Sequence, residues 1–318
     1  ILMMVSAVFW STTLLPLLAY PALFLYRLFN DLLGKFSFDT IRLIGTMNDF
    51  MLISVFILFM LFPRRKRVNL SMVCLLFLSP FLVYLNPFPQ VVFLNAGQGD
   101  AILIRSAFAQ CTILLDTGPP KEAANLIATL RSKSVDHIDA LILTHPDADH
   151  SGNLESFSTS FRIDQVIIQR QDMECEGLLM KNLDADILFG NANADALVFA
   201  TSLNRMRFLF MADADVKTED ALINKYDLTT DIVKLGHHGS QSASSESFIG
   251  KIQARLAIIS VGINHYGHPH SSVLNRLEAF RLAYLTTRDE GDITLTLFPG
   301  FALINSSKSP FTVLTTGH

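Results

Sequence analysis

The chain has 318 residues, of which 50% are hydrophobic and only 17% charged, and its formal net charge is −4. A mean hydropathy of +0.36 excludes an intrinsically disordered chain, and so low a charged fraction argues against an ordinary soluble enzyme, where about 25% is usual. Three cysteines exclude a disulfide-rich secreted scaffold, and the length allows about two domains.

The charged residues divide the chain into two segments. Residues 1–89 hold seven basic and three acidic residues, a net charge of +4. Residues 90–318 hold the other 18 basic and 26 acidic residues, a net charge of −8. We therefore predict two domains with a boundary near residue 90.

Apolar runs predict that residues 1–89 are a transmembrane domain. Residues 1–26 carry no charge and exceed the roughly 20 residues that span a bilayer. A signal peptide is the competing interpretation, but this run is too long and lacks a basic start. Residues 50–62 are short for a span and fit either a span with polar residues or a re-entrant segment. Residues 68–89 are again uncharged and long enough, so we expect about three membrane helices, the tail of a longer polytopic protein.

A basic run at 64–67, Arg-Arg-Lys-Arg, sets the expected orientation. Positive loops stay in the cytoplasm, so the third apolar run leads to the opposite side of the membrane. We expect residues 90–318 to be extracytoplasmic.

After residue 90 the pattern becomes that of an α/β domain. Short apolar, β-branched runs at 91–94, 101–105 and 112–115 predict a strand meander. Residues 121–131 have helical spacing and follow two prolines, which favours a helix start. A further strand is predicted at 196–201.

Four later predicted strands each lead into a polar, glycine-bearing loop. Seven of the nine histidines lie in these loops. Because ligand sites in α/β sheets gather at strand ends, we expect the loops to build one site. The strands are 140–143, 208–211, 232–235 and 256–261.

The first of these loops has the composition of a metal site. His145, Asp147, Asp149 and His150 lie within six residues, and imidazole nitrogens and carboxylate oxygens are competent ligands for divalent metals. A solvated acidic turn is the alternative for this loop alone. The Asp and His residues in the other three loops favour the metal site.

These motifs carry a family resemblance. The sequence His-x-Asp-x-Asp-His at 145–150 resembles the metallo-β-lactamase signature with Asp in place of its second His. Gly-Gln-Gly-Asp at 97–100, Leu-Asp-Thr-Gly at 115–118, Gly-His-His-Gly-Ser at 236–240 and Tyr-Gly-His-Pro-His at 266–270 follow in order. Together they resemble the C-terminal domain of ComEC-type DNA-uptake (competence) proteins, over about residues 90–298.

The resemblance implies an α/β fold, an αββα metallo-β-lactamase-like sandwich with metals at one edge, preceded by membrane helices. It implies ligands in the signature loop and a bridging acid, with Asp215 as the weaker rival for that position. His238 is the rival of His237 or a phosphate contact. His268 is a candidate general acid, a charge-assisted phosphate contact or a turn histidine. The implied metal ligands are His145, Asp147, Asp149, His150, Asp213 and His237; the candidate catalytic residues are Asp149, His238 and His268; and Asp116 would orient a ligand.

One departure bears on the metal. Residues 151–212 contain no His, although much of the superfamily has a further ligand there. We therefore expect one or two divalent ions, one of them weakly held. The oxygen-rich ligand set favours Mn²⁺, and Zn²⁺ remains open.

The expected function is that of a membrane-anchored, metal-dependent phosphodiesterase acting on DNA during uptake for natural transformation. The expected location is the cell (inner) membrane, as a multi-pass protein, and the expected partners are DNA, other uptake components and the missing N-terminal part of the channel. The charge of −8 argues against steering of DNA by the whole surface. Hydrolysis of a small ester or phosphodiester, or a non-catalytic channel domain, are the alternatives. Cys111 and Cys175 can pair outside the cytoplasm, but the sequence does not decide it.

Overall fold

A computed structural model describes residues 84–183, 190, 195–308 and 312–315. The apolar runs at 1–26 and 50–62, the basic run at 64–67 and most of the run at 68–89 lie outside the described residues. The predicted membrane helices and their orientation therefore stay predictions. Within the described ranges, no helix combines the length and apolarity that crossing a bilayer would require.

The described chain forms two large β-sheets with helices on their outer faces. The helices are α1 (Ala123–Ser132), α2 (Ala148–Ser151), α3 (Leu154–Ser160), α4 (Val216–Lys225), α5 (Glu246–Ile252), α6 (Ser271–Ala279) and α7 (Thr287–Glu290), with 3₁₀ turns at Ala107–Ala109, Pro120–Glu122 and Gly236–Gly239. The strands are β1 (Gln90–Phe93), β2 (Ile102–Arg105), β3 (Thr112–Leu115), β4 (His137–Ile138), β5 (Ala140–Ile142), β6 (Arg162–Ile163), β7 (Val166–Ile167), β8 (Met173–Cys175), β9 (Leu178–Asn182), β10 (Phe199–Leu203), β11 (Met206–Phe210), β12 (Ile232–Lys234), β13 (Leu256–Ile259), β14 (Ala283–Thr286), β15 (Ile293–Phe298), β16 (Phe301–Ser306) and β17 (Thr312–Thr315).

The first sheet has eight strands in the order β17-β16-β15-β1-β2-β3-β5-β7. The second has seven in the order β14-β13-β12-β11-β10-β9-β8, and β4 pairs with β6 separately. The strands β3, β5 and β7 run parallel to one another, as do β11 to β14. Parallel neighbours present their carboxyl ends at the same edge, so the loops that follow them lie together.

Three apolar clusters hold the layers together. The largest lies between the sheets and joins residues of the first sheet, such as Phe93 and Ile113, to residues of the second, such as Phe208 and Ile258. A second cluster fixes α4, α5 and α6 to the second sheet, and a third fixes α1 and α3 to the first. The layer order is therefore helix, sheet, sheet, helix, which confirms the predicted αββα sandwich.

The predicted elements correspond closely to the observed ones. The run at 112–115 is β3, the predicted helix at 121–131 is α1 with a 3₁₀ turn before it, and the four loop-preceding strands are β5, β11, β12 and β13. The predicted strand at 196–201 begins later, at Phe199, as β10. Pro87 and Pro89 precede β1.

A disulfide between Cys111 and Cys175 links the two sheets. Cys111 immediately precedes β3 in the first sheet, and Cys175 ends β8 in the second. The bond closes a loop with a sequence separation of 64 residues, and Cys111 is fully buried. The cross-link therefore acts across the main apolar core.

Replacing both cysteines with alanine should lower the free energy of unfolding by about 2–4 kcal/mol, because the unfolded chain loses a long-range covalent constraint. Urea denaturation of the full chain measures this change. Reductant should destabilise the native chain by a similar amount and leave the double variant unchanged. Equal stability of the two proteins without reductant would contradict the prediction.

Candidate metal centre

The loop after β5 supplies the first half of the site. His145 is buried at 2% exposure, and the chain then enters the short helix α2, whose first turn carries Asp149 and whose interior carries His150. Asp147 takes the N-cap position of that helix. The helical turn brings the two consecutive residues Asp149 and His150 to the same centre.

The loops after β11 and β12 supply the second half. Ala212 has a left-handed backbone (φ 48°), which turns the chain sharply at the end of β11 and directs Asp213 to the centre. His237 and His238 are also left-handed, at φ 47° and 53°, within the 3₁₀ turn after β12. The amide of His237 donates to the carbonyl of Ala212, so the two loops are fastened together.

Four side chains offer ligand atoms at one point. One atom from each of Asp149, His150, Asp213 and His238 lies within 4.8 Å of the others. His150 Nε2 is 3.1 Å from Asp213 Oδ1. His238 Nε2 is 3.4 Å from Asp149 Oδ2 and 3.6 Å from Asp213 Oδ1. Two ligands thus come from the first-sheet half and two from the second.

The chemistry of these atoms fits a divalent metal. Four buried atoms make no hydrogen bond of acceptable geometry with any described residue: Nε2 of His145, His150 and His238, and Oδ1 of Asp213. Unsatisfied buried polar atoms are costly and rare, so four of them around one centre call for a ligand. Ligand atoms of a tetrahedral ion lie about 3.3 Å apart, close to the spacing between these side chains.

Further polar groups orient the two imidazoles. Asp116 accepts a hydrogen bond from His150 Nδ1 at 2.8 Å, and Thr144 donates both its amide and its hydroxyl to Asp116. His238 Nδ1 donates to the carbonyl of Ser260 at 2.8 Å. Each hydrogen bond fixes a proton on Nδ1 and so leaves Nε2 as the metal-facing nitrogen.

Asp147 occupies a different place from the one predicted for a ligand. Its side chain is 59% exposed, and Oδ2 lies 3.6 Å from His145 Nδ1. Asp147 is outside the group of four, because the N-cap position directs it away from the centre while the following turn carries Asp149 inward. Asp147 lies beside His145, and its role as a metal ligand stays a prediction.

The two adjacent histidines lie at different distances from the group of four, and which of them binds metal stays a prediction. His238 is buried and belongs to the group of four, whereas His237 lies at the edge, with Nε2 3.8 Å from Asp213 Oδ2. Asp215, the predicted rival of Asp213, instead caps α4 by accepting hydrogen bonds from the amides of Lys217 and Thr218. His237 and His238 therefore lie in different environments, and so do Asp213 and Asp215.

The electrostatics of the centre reflect close packing of acids and imidazoles. Burial favours a raised pKa for Asp213, yet the neighbouring His238 and His150 hold the pKa of its carboxyl well below the usual range. Burial opposes the charged form of His150 too, but Asp116 and Asp213 raise the pKa of its imidazole well above normal. A bound cation would interact with the same carboxylates.

A buried ion pair behind the centre was not predicted as part of the site. Lys234, 1% exposed, contacts the Asp100 carboxylate and donates to the carbonyl of Ala212 at 3.0 Å. Asp100 Oδ1 lies 3.8 Å from His238 Nδ1. The sequence did contain a signal for this ion pair, namely a lysine inside an otherwise apolar strand. A charge buried at such a position requires a partner of opposite charge.

The Gly-Gln-Gly-Asp motif brings the backbone of the first sheet against the signature loop. The Asp100 amide donates to the carbonyl of Asp149 at 3.1 Å. A Cβ on Gly99 would lie only 2.5 Å from that carbonyl oxygen, so a side chain does not fit there. The motif therefore positions Asp149 through its backbone.

The centre opens into a cleft of about 760 Å³. Its lining includes Lys121, Asp147, His237, His265 and His268. Burial lowers the pKa of His268, and the charges of His237 and His238 act in the same direction. His268 Nδ1 is buried without a hydrogen-bond partner. His270 caps α6 by accepting from the Ser272 amide, which fits a structural role.

Comparison with known proteins agrees with the fold and the motifs. Residues 94–190 match the family model of the metallo-beta-lactamase superfamily. A solved structure, the metallo-beta-lactamase fold protein YhfI from Bacillus subtilis, aligns with 62% of this chain and 96% of its own, at 11% identity and a TM-score of 0.42.

Particular relatives come from competence and recombination systems. The ComE operon protein 3 of Bacillus subtilis is 27% identical over 76% of this chain and 38% of its own length. The competence protein ComA of Neisseria gonorrhoeae is 28% identical over 65% of this chain and 32% of its own. The chain thus spans about a third of the length of these relatives. The predicted resemblance to ComEC-type proteins is confirmed.

Proposed function

We propose that this protein is a membrane-anchored, metal-dependent phosphodiesterase that cleaves DNA during uptake. The observation that carries the proposal is the group of buried, unsatisfied ligand atoms at the floor of an open cleft. The competence proteins among its relatives support DNA as the substrate.

The side chains divide the work by position. Asp149, His150, Asp213 and His238 would hold the metal, with His145 beside them and Asp116 orienting His150. A divalent ion supplies a more acidic bound water and polarises a phosphoryl oxygen. On the cleft wall, His268 would be the candidate general acid, because it lines the cleft beside His237.

The group of four ligand atoms contains fewer carboxylates than the predicted ligand set, and this bears on which metal would bind. The preference for Mn²⁺ relied on Asp147 as a ligand, and its exposed carboxylate lies outside the group of four. Two carboxylates with two imidazoles suit both Mn²⁺ and Zn²⁺. We keep Mn²⁺ as the first metal to test, with Zn²⁺ beside it.

DNA capture would be local. The described lining of the cleft has acids around the centre and Lys121 at the rim, which fits contact at the metal better than attraction by a broad basic surface. Delivery by other uptake components and by the rest of a membrane channel completes the proposal.

We place residues 1–89 in the cell (inner) membrane and residues 90–318 outside the cytoplasm. The disulfide between Cys111 and Cys175 supports this placement, because disulfides persist in oxidising compartments and are rare in the cytosol. The basic run at 64–67 supports the same orientation.

The decisive experiment is a metal series on the purified full chain. Linear DNA should be cleaved after addition of Mn²⁺ or Zn²⁺ and not in EDTA, because the charged centre needs a cation for the reaction. His150→Ala should abolish cleavage, whereas His137→Ala, which pairs with Asp164 elsewhere, should retain it. A small phosphodiester run alongside separates the alternatives: its cleavage without DNA cleavage would favour a small-molecule hydrolase, and inactivity on both would favour a non-catalytic domain.

A further inference from the structure

Two exposed apolar side chains stand at the rim of the cleft. Ile263 is 92% exposed and Tyr266 is 75% exposed, and both lie in the loop after β13. A single exposed apolar residue is ordinary on a protein surface. These two, however, line the same cleft as Asp149, Asp213 and His238.

The loop that presents them is held in place by its own hydrogen bonds. Asn264 Nδ2 donates to the carbonyls of Gly262 and His268, and Asn264 Oδ1 accepts from the amides of Tyr266 and His268. Gly262 lies so close to Gly97 that a Cβ would come within 2.5 Å of it. The backbone that carries the two exposed side chains is therefore held in place by hydrogen bonds, which pre-organises the surface they form.

A series of aromatic contacts connects this surface with the metal centre. The rings of Tyr266 and His268 are 5.7 Å apart and inclined by 30°. His268 lies 5.7 Å from His237, which in turn lies 6.3 Å from His238 of the centre. A base that contacts Tyr266 would thus lie in the same cleft as a phosphodiester held at the metal.

We propose that Tyr266, with Ile263 beside it, is a stacking platform for an unpaired base of single-stranded DNA. Aromatic rings bind bases of any sequence through their π faces, and stacking is worth about 1–3 kcal/mol per base. Apart from histidines, Lys121 is the one basic side chain among the described residues that line the cleft. Stacking would therefore contribute a large part of the binding free energy. Bases inside a duplex are already stacked and paired, which favours a single strand. This inference rests on the proposed function.

Binding without turnover tests the platform directly. The probe is a single-stranded oligonucleotide containing 2-aminopurine, whose fluorescence falls on stacking, titrated with the full chain in EDTA. The native protein and Tyr266→Phe should quench it, whereas Tyr266→Ala should bind on the order of tenfold more weakly, with reduced quenching. Tyr284→Ala is the matched control, because Tyr284 is exposed on β14 and does not line the cleft. Quenching by Tyr266→Ala equal to that of the native chain, or none by the native chain, would overturn the proposal.

Cleavage separates this inference from the function on which it rests. With metal added, Tyr266→Ala should raise the KM for single-stranded DNA by about the same factor and change kcat much less. An oligonucleotide that lacks the base beside the cleaved bond should be a poor substrate for the native chain and should not be worsened by Tyr266→Ala. An equal loss on both substrates would count against stacking. Failure of the native chain to cleave any DNA would refute the nuclease, while the fluorescence titration would still decide the platform.

Discussion

Asp213→Asn should remove bound metal from the protein and abolish metal-dependent hydrolysis. The substitution keeps the size of the side chain but removes the buried negative charge that faces both His150 and His238. Replacing a residue that merely supports a ligand weakens metal binding about 10- to 100-fold. Asp213 is itself a proposed ligand, so its loss should weaken binding by more than that. Metal content after dialysis, measured by mass spectrometry, gives the result.

Asp215→Ala is the matched control two residues along the chain. Asp215 caps α4 and does not belong to the group of four. Its replacement should cost about 1 kcal/mol of stability and leave the metal content unchanged. Equal metal in the Asp213→Asn variant and the native chain would show that the centre does not bind metal through this carboxylate.

Lys234→Met should have the largest effect on stability among the single substitutions near the site. The change leaves the Asp100 carboxylate buried without its cation, and breaking a buried ion pair in this way costs about 3–5 kcal/mol. It also removes the hydrogen bond to the carbonyl of Ala212, which precedes Asp213. Urea denaturation of the full chain gives the loss in free energy of unfolding.

The double variant Lys234→Met with Asp100→Asn tests the cause. If an unpaired charge is responsible, the second substitution should recover part of the lost stability. Losses that simply add would show that pairing with Asp100 is not the source of the effect.

The sheet architecture was accessible from sequence because its signal is repeated many times. Each apolar run such as 112–115 or 232–235 ends in a polar loop, and parallel strands bring such loops to one edge. The ligand groups at that edge were therefore predictable as a set. Their individual ranks were not, because a residue type and its spacing do not specify which way a loop side chain points.

Two pairs show the physical reason. Asp147 and Asp149 are two residues apart, so in an extended loop their side chains would lie on the same side. The chain instead becomes helical at Ala148, and the Asp147 carboxylate lies outside the group of four while that of Asp149 belongs to it. His237 and His238 both adopt left-handed backbone that non-glycine residues rarely take, so no local preference announces which ring is buried. Lys234 needed the three-dimensional position of Asp100, 134 residues earlier in the chain.

The disulfide and the metal centre lie at opposite ends of the same sandwich. Cys111 enters β3 at one end, and Asp116, which supports the ligand His150, leaves it at the other. The covalent bond ties the sheets at the far end, while Asp149 and His150 from one half and Asp213 and His238 from the other would be tied by the ion. A bound ion would thus serve as a second cross-link, stabilising the folded chain in proportion to the logarithm of its free concentration. The redox state of the surroundings would then control the cross-link at one end of the sandwich, and the concentration of free metal would control the cross-link at the other.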